Sequence, residues 1–184
     1  MSWLPEGYKV PSGGGQFMKL VSGANQFRIL AEPVLGYEVW ETTTEGRKPH
    51  RFHTFKEAVS SPFSDQIKHF WAFPVWNYSN KTCQVLQITQ KTIMKAIEAL
   101  QVDEDWGDPT TYDIVVSKSG DGMETEYVVQ PKPAKPTPKE ALEALKESKI
   151  DLSALFSGSY PMKETEAQNE AVVNSEEVAS DVPF

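Results

Sequence analysis

The chain has 184 residues and a single cysteine, Cys83. No disulfide can form within one subunit, a thiolate-rich metal site is excluded there, and a reducing compartment is the expectation. No apolar run approaches the ~20 residues that a bilayer-spanning helix needs. The opening residues Met1-Ser2-Trp3-Leu4-Pro5 show neither the basic nor the apolar stretch of a secretory leader. A soluble, cytoplasmic protein is expected. Catalytic signatures are missing too: there is no Gly-rich phosphate loop, no Gly-x-Ser-x-Gly and no His-Glu-x-x-His. Asp103, Glu104, Asp105 and Asp108 cluster before Pro109. Carboxylates strung along a loop after a helix read better as a solvated turn than as a Mg²⁺ site for a nuclease. Cys83 sits among apolar residues of a strand-like segment, where a thiol is inert. No enzyme is expected, and no cofactor.

Basic residues are outnumbered, 18 against 26, for a net charge of −8. The deficit is local. Residues 162–184 hold six carboxylates and one lysine, a net −5, which leaves −3 for everything before them. The body is nearly neutral, so local clusters of Lys and Arg decide what it can bind.

Periodicity divides the chain. Residues 1–16, with Pro5, Gly7, Pro11 and a Ser-Gly-Gly-Gly run, read as a flexible arm. Strand-like alternation follows over residues 25–32, 37–43, 69–78, 83–89, 112–118 and 123–130. Pro74 within the third of these segments predicts an edge position or a bulge. Over residues 90–101 the period becomes helical, with Ile93, Met94, Ile97 and Leu100 on one side. This order predicts a mainly β domain over residues 17–131: a five-stranded OB-fold barrel with one helix between its third and fourth strands. Residues 132–161 read as a Pro-rich linker followed by short amphipathic helices, the first over residues 139–148. Residues 162–184 read as a disordered acidic tail.

Nonspecific binding of a single strand needs cations along the phosphates and aromatic faces under the bases. Both are interleaved between the second and third strand-like segments. Arg47, Lys48, Arg51, Lys56 and Lys68 are mixed with His50, Phe52, His53 and Phe55, and Tyr37, Trp40, Trp71, Phe73, Trp76 and Tyr78 flank them. Side chains alternate along a strand. Trp71, Phe73 and Val75 therefore share one face, and Phe70, Ala72, Trp76 and Tyr78 the other. One set is expected to be core, and the sequence does not say which. Arg28, within an apolar alternation, either points onto the binding face or is an ordinary exposed strand arginine. Lys118 ends a strand. The candidate strand contacts are Arg28, Tyr37, Trp40, Arg47, Lys48, Arg51, Phe52, Trp71, Phe73, Trp76 and Lys118.

At the chain end, Asp181, Val182, Pro183 and Phe184 present a rigid apolar knob beside a carboxylate, suited to a basic pocket on a partner. This tip is similar to that of bacterial single-stranded DNA-binding proteins, where acidic residues lead into Ile-Pro-Phe; here Val182 stands in the isoleucine position. The body carries Phe17-Met18-Lys19-Leu20, Asn25-Gln26-Phe27-Arg28-Ile29-Leu30, Trp71-Ala72 with Val75, Trp106-Gly107-Asp108-Pro109, Tyr112-Asp113-Ile114, and Gly120-Asp121-Gly122 leading to Thr125-Glu126-Tyr127. In that order these resemble the single-stranded DNA-binding proteins of bacteriophages, over about residues 17–135. The resemblance implies an OB-fold core that coats and protects single-stranded DNA during phage replication, recombination and repair. It also implies an acidic tail that recruits partner enzymes such as a polymerase, helicase, nuclease or recombinase.

Two alternatives remain open. His50, His53, His69 and Cys83 have partly ligand-like spacing, and some phage proteins of this type hold a structural zinc. With one cysteine, histidines serving a basic loop are the better reading. The same barrel and tail also suit a protein-interaction module, such as a recombination mediator or virion component, and a homo-oligomer fits either reading.

Overall fold

The computed structural model describes residues 15–63 and 66–162. Most of the N-terminal arm and the acidic tail, with Asp181, Val182, Pro183 and Phe184, lie outside the described residues.

Alternating apolar side chains form β1 (Gly23–Ile29) and β2 (Val34–Thr43), and both strands pair with the same neighbour, β4 (Lys68–Asn77). Ile29 lies opposite Val75, and Val34 opposite Ala72. β1 and β2 thus run end to end along β4, with an irregular step at residues 30–33. Pro74 faces that step. Its carbonyl accepts from the Leu30 N–H at 2.9 Å. The amide and carbonyl of one strand residue point to the same side, so the donor that proline lacks falls where the ladder is already interrupted. Pro74 thus sits neither on an edge strand nor in a bulge of its own strand: β4 keeps regular register with β5 through it, and the irregularity is in the run opposite.

β3 (Gly46–Phe52) returns from β2 through Thr44 and Glu45, and β5 (Thr82–Ile88) pairs with the other edge of β4. β6 (Asp113–Ser119) lies beside β1, and β7 (Glu126–Pro131) beside β6. The order is β3-β2-β4-β1-β6-β7 with β5 on β4, and every strand pair is antiparallel. The described residues are mainly β, as expected, but form one open sheet of seven strands, not the five-stranded OB-fold barrel expected. The reason is topological: β1 and β2 share one long neighbour instead of pairing with each other, and residues 46–52 add a strand where the sequence reads as an irregular stretch. Lacking apolar alternation, β3 is held by its register against β2, and its Pro49 suits an end-of-sheet position.

Each face of the sheet has its own core. On one, α2 (Lys91–Val102) packs Ile93, Met94 and Ile97 over Phe27, Ile29, Phe73, Val75, Leu86 and Ile88. On the other, Phe70, Ala72 and Val85 are covered by Leu155, with Ile150, Leu152 and Phe156 around it. Leu155 belongs to a 3-10 turn (Leu152–Ser157) that follows α3 (Lys139–Ser148). Both cores are apolar areas withdrawn from water, the dominant favourable term in folding.

The Pro-rich stretch before α3 is not a free spacer. The Lys132 and Lys135 amides donate to the carbonyls of Asp113 at 2.8 Å and Thr111 at 3.3 Å, which makes residues 132–137 a strap across the start of β6. At the far end of the chain, the Gln16 side chain donates to the Met162 carbonyl at 3.2 Å and accepts from the Met162 amide at 3.1 Å. The arm and the tail therefore leave the body at one place. Among the described residues, no helix is long and apolar enough to cross a membrane.

Candidate nucleic-acid interface

Directly opposed residues of two paired strands share a face. In the β2–β3 hairpin, Tyr37 lies opposite Phe52, Val39 opposite His50 and Glu41 opposite Lys48; these are on one face. Glu38 lies opposite Arg51, Trp40 opposite Pro49 and Thr42 opposite Arg47; these are on the other.

The second of these faces carries the clearest cation–aromatic pair. Trp40 is 39% exposed, and the Arg47 guanidinium lies over its ring, 5.1 Å from the centroid. The Trp40 Nε1–H donates to Glu38 Oε1 at 2.8 Å. Arg51 Nε donates to Glu38 Oε2 at 3.2 Å and to Gln87 Oε1 at 3.0 Å. Burial lowers the Arg51 pKa, against the raising effect of the Glu38 charge and hydrogen bond. Arg51 is thus half-buried and held between Glu38 and Gln87, turned away from the position of a free cation.

On the first face, Tyr37 meets Phe55 edge-on at 5.6 Å and lies 5.0 Å from His69. Phe55 opens a short helix, α1 (Phe55–Val59), whose start is fixed by a reciprocal Thr54–Glu57 capping pair. His69 Nδ1 is 2.8 Å from the Gly36 carbonyl, which orients its ring. Trp71 is half-buried opposite Leu35, itself 52% exposed. His50 stacks on Phe63 at 4.6 Å, with Nε2 2.8 Å from Glu41 Oε2. Lys48, Lys56 and Lys68 are exposed. The hairpin thus carries Trp40 and Arg47 on one face and Tyr37, Lys48 and Phe52 on the other, the face that Trp71 of β4 shares.

Other candidates stand elsewhere. Phe73 and Trp76 are buried, one on each face of β4, so neither offers a ring to a base. Both faces are covered, hence both aromatic sets contribute core residues. Lys118 is half-buried at the far end of β6, opposite Gly23 and Tyr127.

Arg28 has no exposed surface, so it is not the exposed strand arginine or outward-facing contact expected. Its Nε donates to Asp113 Oδ1 at 2.7 Å, and its terminal nitrogens donate to the Thr110 and Lys135 carbonyls and the Thr137 hydroxyl at 3.0–3.3 Å. Asp113 also accepts from Tyr78 Oη at 2.8 Å, Gln26 Nε2 at 3.1 Å and Lys135 Nζ at 2.9 Å. Burial alone raises the Asp113 pKa, but hydrogen bonds from Lys135, Tyr78 and Arg28, with the Arg28 charge, outweigh it and hold the carboxyl below its ordinary value. Burial, then the Asp113 hydrogen bond, pushes the Tyr78 phenol up to about 12. This buried polar centre ties the strap to β1 and β6.

The sequence reading missed both Glu38 and Asp113 as organising residues. Glu38 carries one usable signal: a carboxylate two positions before Trp40 in a strand shares its face.

The four metal-ligand candidates are dispersed. His50 is on Glu41, His53 stacks on Phe156 at 3.7 Å, His69 is on Gly36, and Cys83 lies 3.9 Å from Ser148 Oγ. Burial pushes the Cys83 thiol up. Among the described residues, no three His, Cys, Asp or Glu side chains are grouped as a metal site would require. No protein-family model, curated protein or solved structure matches this chain.

Proposed function

We propose that this chain is a single-stranded DNA-binding protein of the bacteriophage type it resembles, gripping the strand at the β2–β3 hairpin with little sequence preference. The observation that carries the reading is the Arg47 guanidinium over the exposed Trp40 ring at 5.1 Å, with Lys48 exposed one position along the same strand. An aromatic face stacks any base, and a cation beside it neutralises the adjoining phosphate. Tyr37, Phe52, His69 and Trp71 extend the aromatic surface around the hairpin. In the same reading, the open sheet is a splayed form of an OB-type Greek key, and the bent β1–β2 run serves both of its halves. The acidic tail, ending in Asp181, Val182, Pro183 and Phe184, recruits replication or recombination enzymes.

Fluorescence titration of the tryptophans with an unstructured oligonucleotide, at low and high salt and beside the matching duplex, tests this. Quenching by the single strand with a steep salt slope supports it. Absence of quenching and of any mobility shift overturns it.

A second reading, a protein-interaction module, has its own observation. Leu35 and Val59 are each about half exposed, at 52% and 49%, and aliphatic groups do not stack bases. Capture of a protein partner that resists salt, without oligonucleotide binding, favours it.

A further inference from the structure

Glu38 is buried, with 3% of its surface exposed, at the place proposed to meet a polyanion. A carboxylate there repels phosphate, so its presence calls for a compensating role. Its partners come from three strands. Trp40, on the same strand, donates to one oxygen at 2.8 Å. Arg51 of β3 and Gln87 of β5 donate to the other. Arg51 cancels the charge, and the two outside donors fix the carboxylate so that it does not follow the indole when the indole moves. Pro49, opposite Trp40 in register, flanks the ring from β3.

We propose that Glu38 is a positioning residue for Trp40: it holds the indole edge so that the ring face under Arg47 is already set as a base-stacking platform before the strand arrives. This rests on the strand-binding reading. An exposed tryptophan loses rotamer freedom when it stacks, and a hydrogen bond made in advance moves that cost out of the binding step. Arg47 keeps the ring covered in the unbound protein and passes to a phosphate when a base takes its place. Glu38 itself touches no nucleotide.

The test is a two-by-two cycle in the full chain, with a labelled oligothymidylate as probe. One change is Glu38→Gln. The other replaces Trp40 with 3-benzothienylalanine, which keeps the ring area and removes the N–H. Glu38→Gln should weaken binding about fivefold, the size of one hydrogen bond, and cause no further loss when the N–H is already absent. The isostere alone should cost the same factor, with the salt slope unchanged. Equal losses from Glu38→Gln in both backgrounds would mean that Glu38 acts only through stability, and overturn the proposal. Should Glu38→Gln fail to fold, the isostere decides: wild-type affinity overturns the proposal and the fivefold loss sustains it. Failure of the unmodified chain to bind any oligothymidylate removes the strand-binding reading and this inference together, whereas binding with an additive cycle removes this inference alone.

Discussion

Replacing Arg28 with methionine removes the cation from the buried centre while keeping most of the side chain's volume. Arg28 and Asp113 are both fully buried and 2.7 Å apart. Deleting one partner of such a pair strands the other, at a typical cost of about 3–5 kcal/mol. Here the lower end is expected, about 3 kcal/mol, because Asp113 keeps Tyr78, Gln26 and Lys135 as donors. Against a total stability on the order of 5–15 kcal/mol, that is a large share. Urea unfolding followed by tryptophan fluorescence measures it. The strap gives an independent readout. Arg28 donates to the Lys135 carbonyl and the Thr137 hydroxyl, so the Lys132 and Lys135 amides should exchange faster with deuterium in the variant, while amides of the α2-side core hold. Affinity for single-stranded DNA, measured where the variant is folded, should not change, because Arg28 has no exposed surface. A stability loss below about 1 kcal/mol would refute the account of the buried pair. Lost affinity with full stability would put Arg28 back on the binding face.

The same centre contributes stability that is lost at each end of the pH range. The Asp113 carboxyl is held below its ordinary value, so its contribution is complete above the unfolded pKa of about 3.9 and is lost as pH falls through the folded value. The Tyr78 phenol is raised to about 12, so its contribution is complete below the unfolded pKa of about 10 and is lost as pH climbs from there towards the folded value. Thermal melts across pH should show both limbs, and Tyr78→Phe should shrink the alkaline one, leaving the part owed to Tyr112, whose phenol burial also raises. Gly36→Ala places a Cβ 2.7 Å from the Phe52 carbonyl oxygen and 2.8 Å from the Phe70 and Phe156 rings. Overpacking of that kind costs about 1–3 kcal/mol in a melt. Arg47→Ala and Lys48→Ala should each lower the slope of log affinity against log salt by about 0.7, one phosphate's share on a single strand. Deleting residues 163–184 should leave or raise DNA affinity while abolishing capture of partner enzymes, and a folded, tail-less protein that no longer binds DNA would contradict that division.

Much of the fold is readable from residue pattern. Aromatic and β-branched alternation marks β1, β2, β4, β5, β6 and β7. The change of period marks α2, and α3 spans the residues expected of it. β3 is unreadable for a physical reason: Arg47-Lys48-Pro49-His50-Arg51 has no inward apolar face, and its strand conformation comes from a neighbour. The choice between Trp71-Phe73 and Phe70-Trp76 as the buried set has no answer in sequence, because it assumes that one face of β4 is open. α2 covers one face, and a 3-10 turn that begins fifty positions after α2 ends covers the other. Arg28 reads the same in a strand whether it meets solvent or a carboxylate; the register that sets it opposite Asp113 decides.

The hairpin also sorts the cations that look like one basic run in sequence. Arg51 turns inward to Glu38 and Gln87. Arg47 lies over Trp40 on that same face, and Lys48 points from the opposite face beside Glu41. Two free cations therefore straddle β3, which ends the strand order. A polyanion that meets both must pass around this edge of the sheet instead of lying across one face. β3 has seven residues, and at ~3.3 Å each it spans roughly 20 Å. The contact available along it is short, enough for only a few nucleotides of a single strand. The proposed grip is therefore an edge contact of a few nucleotides, and a site-size titration that finds a footprint much longer than β3 would contradict it.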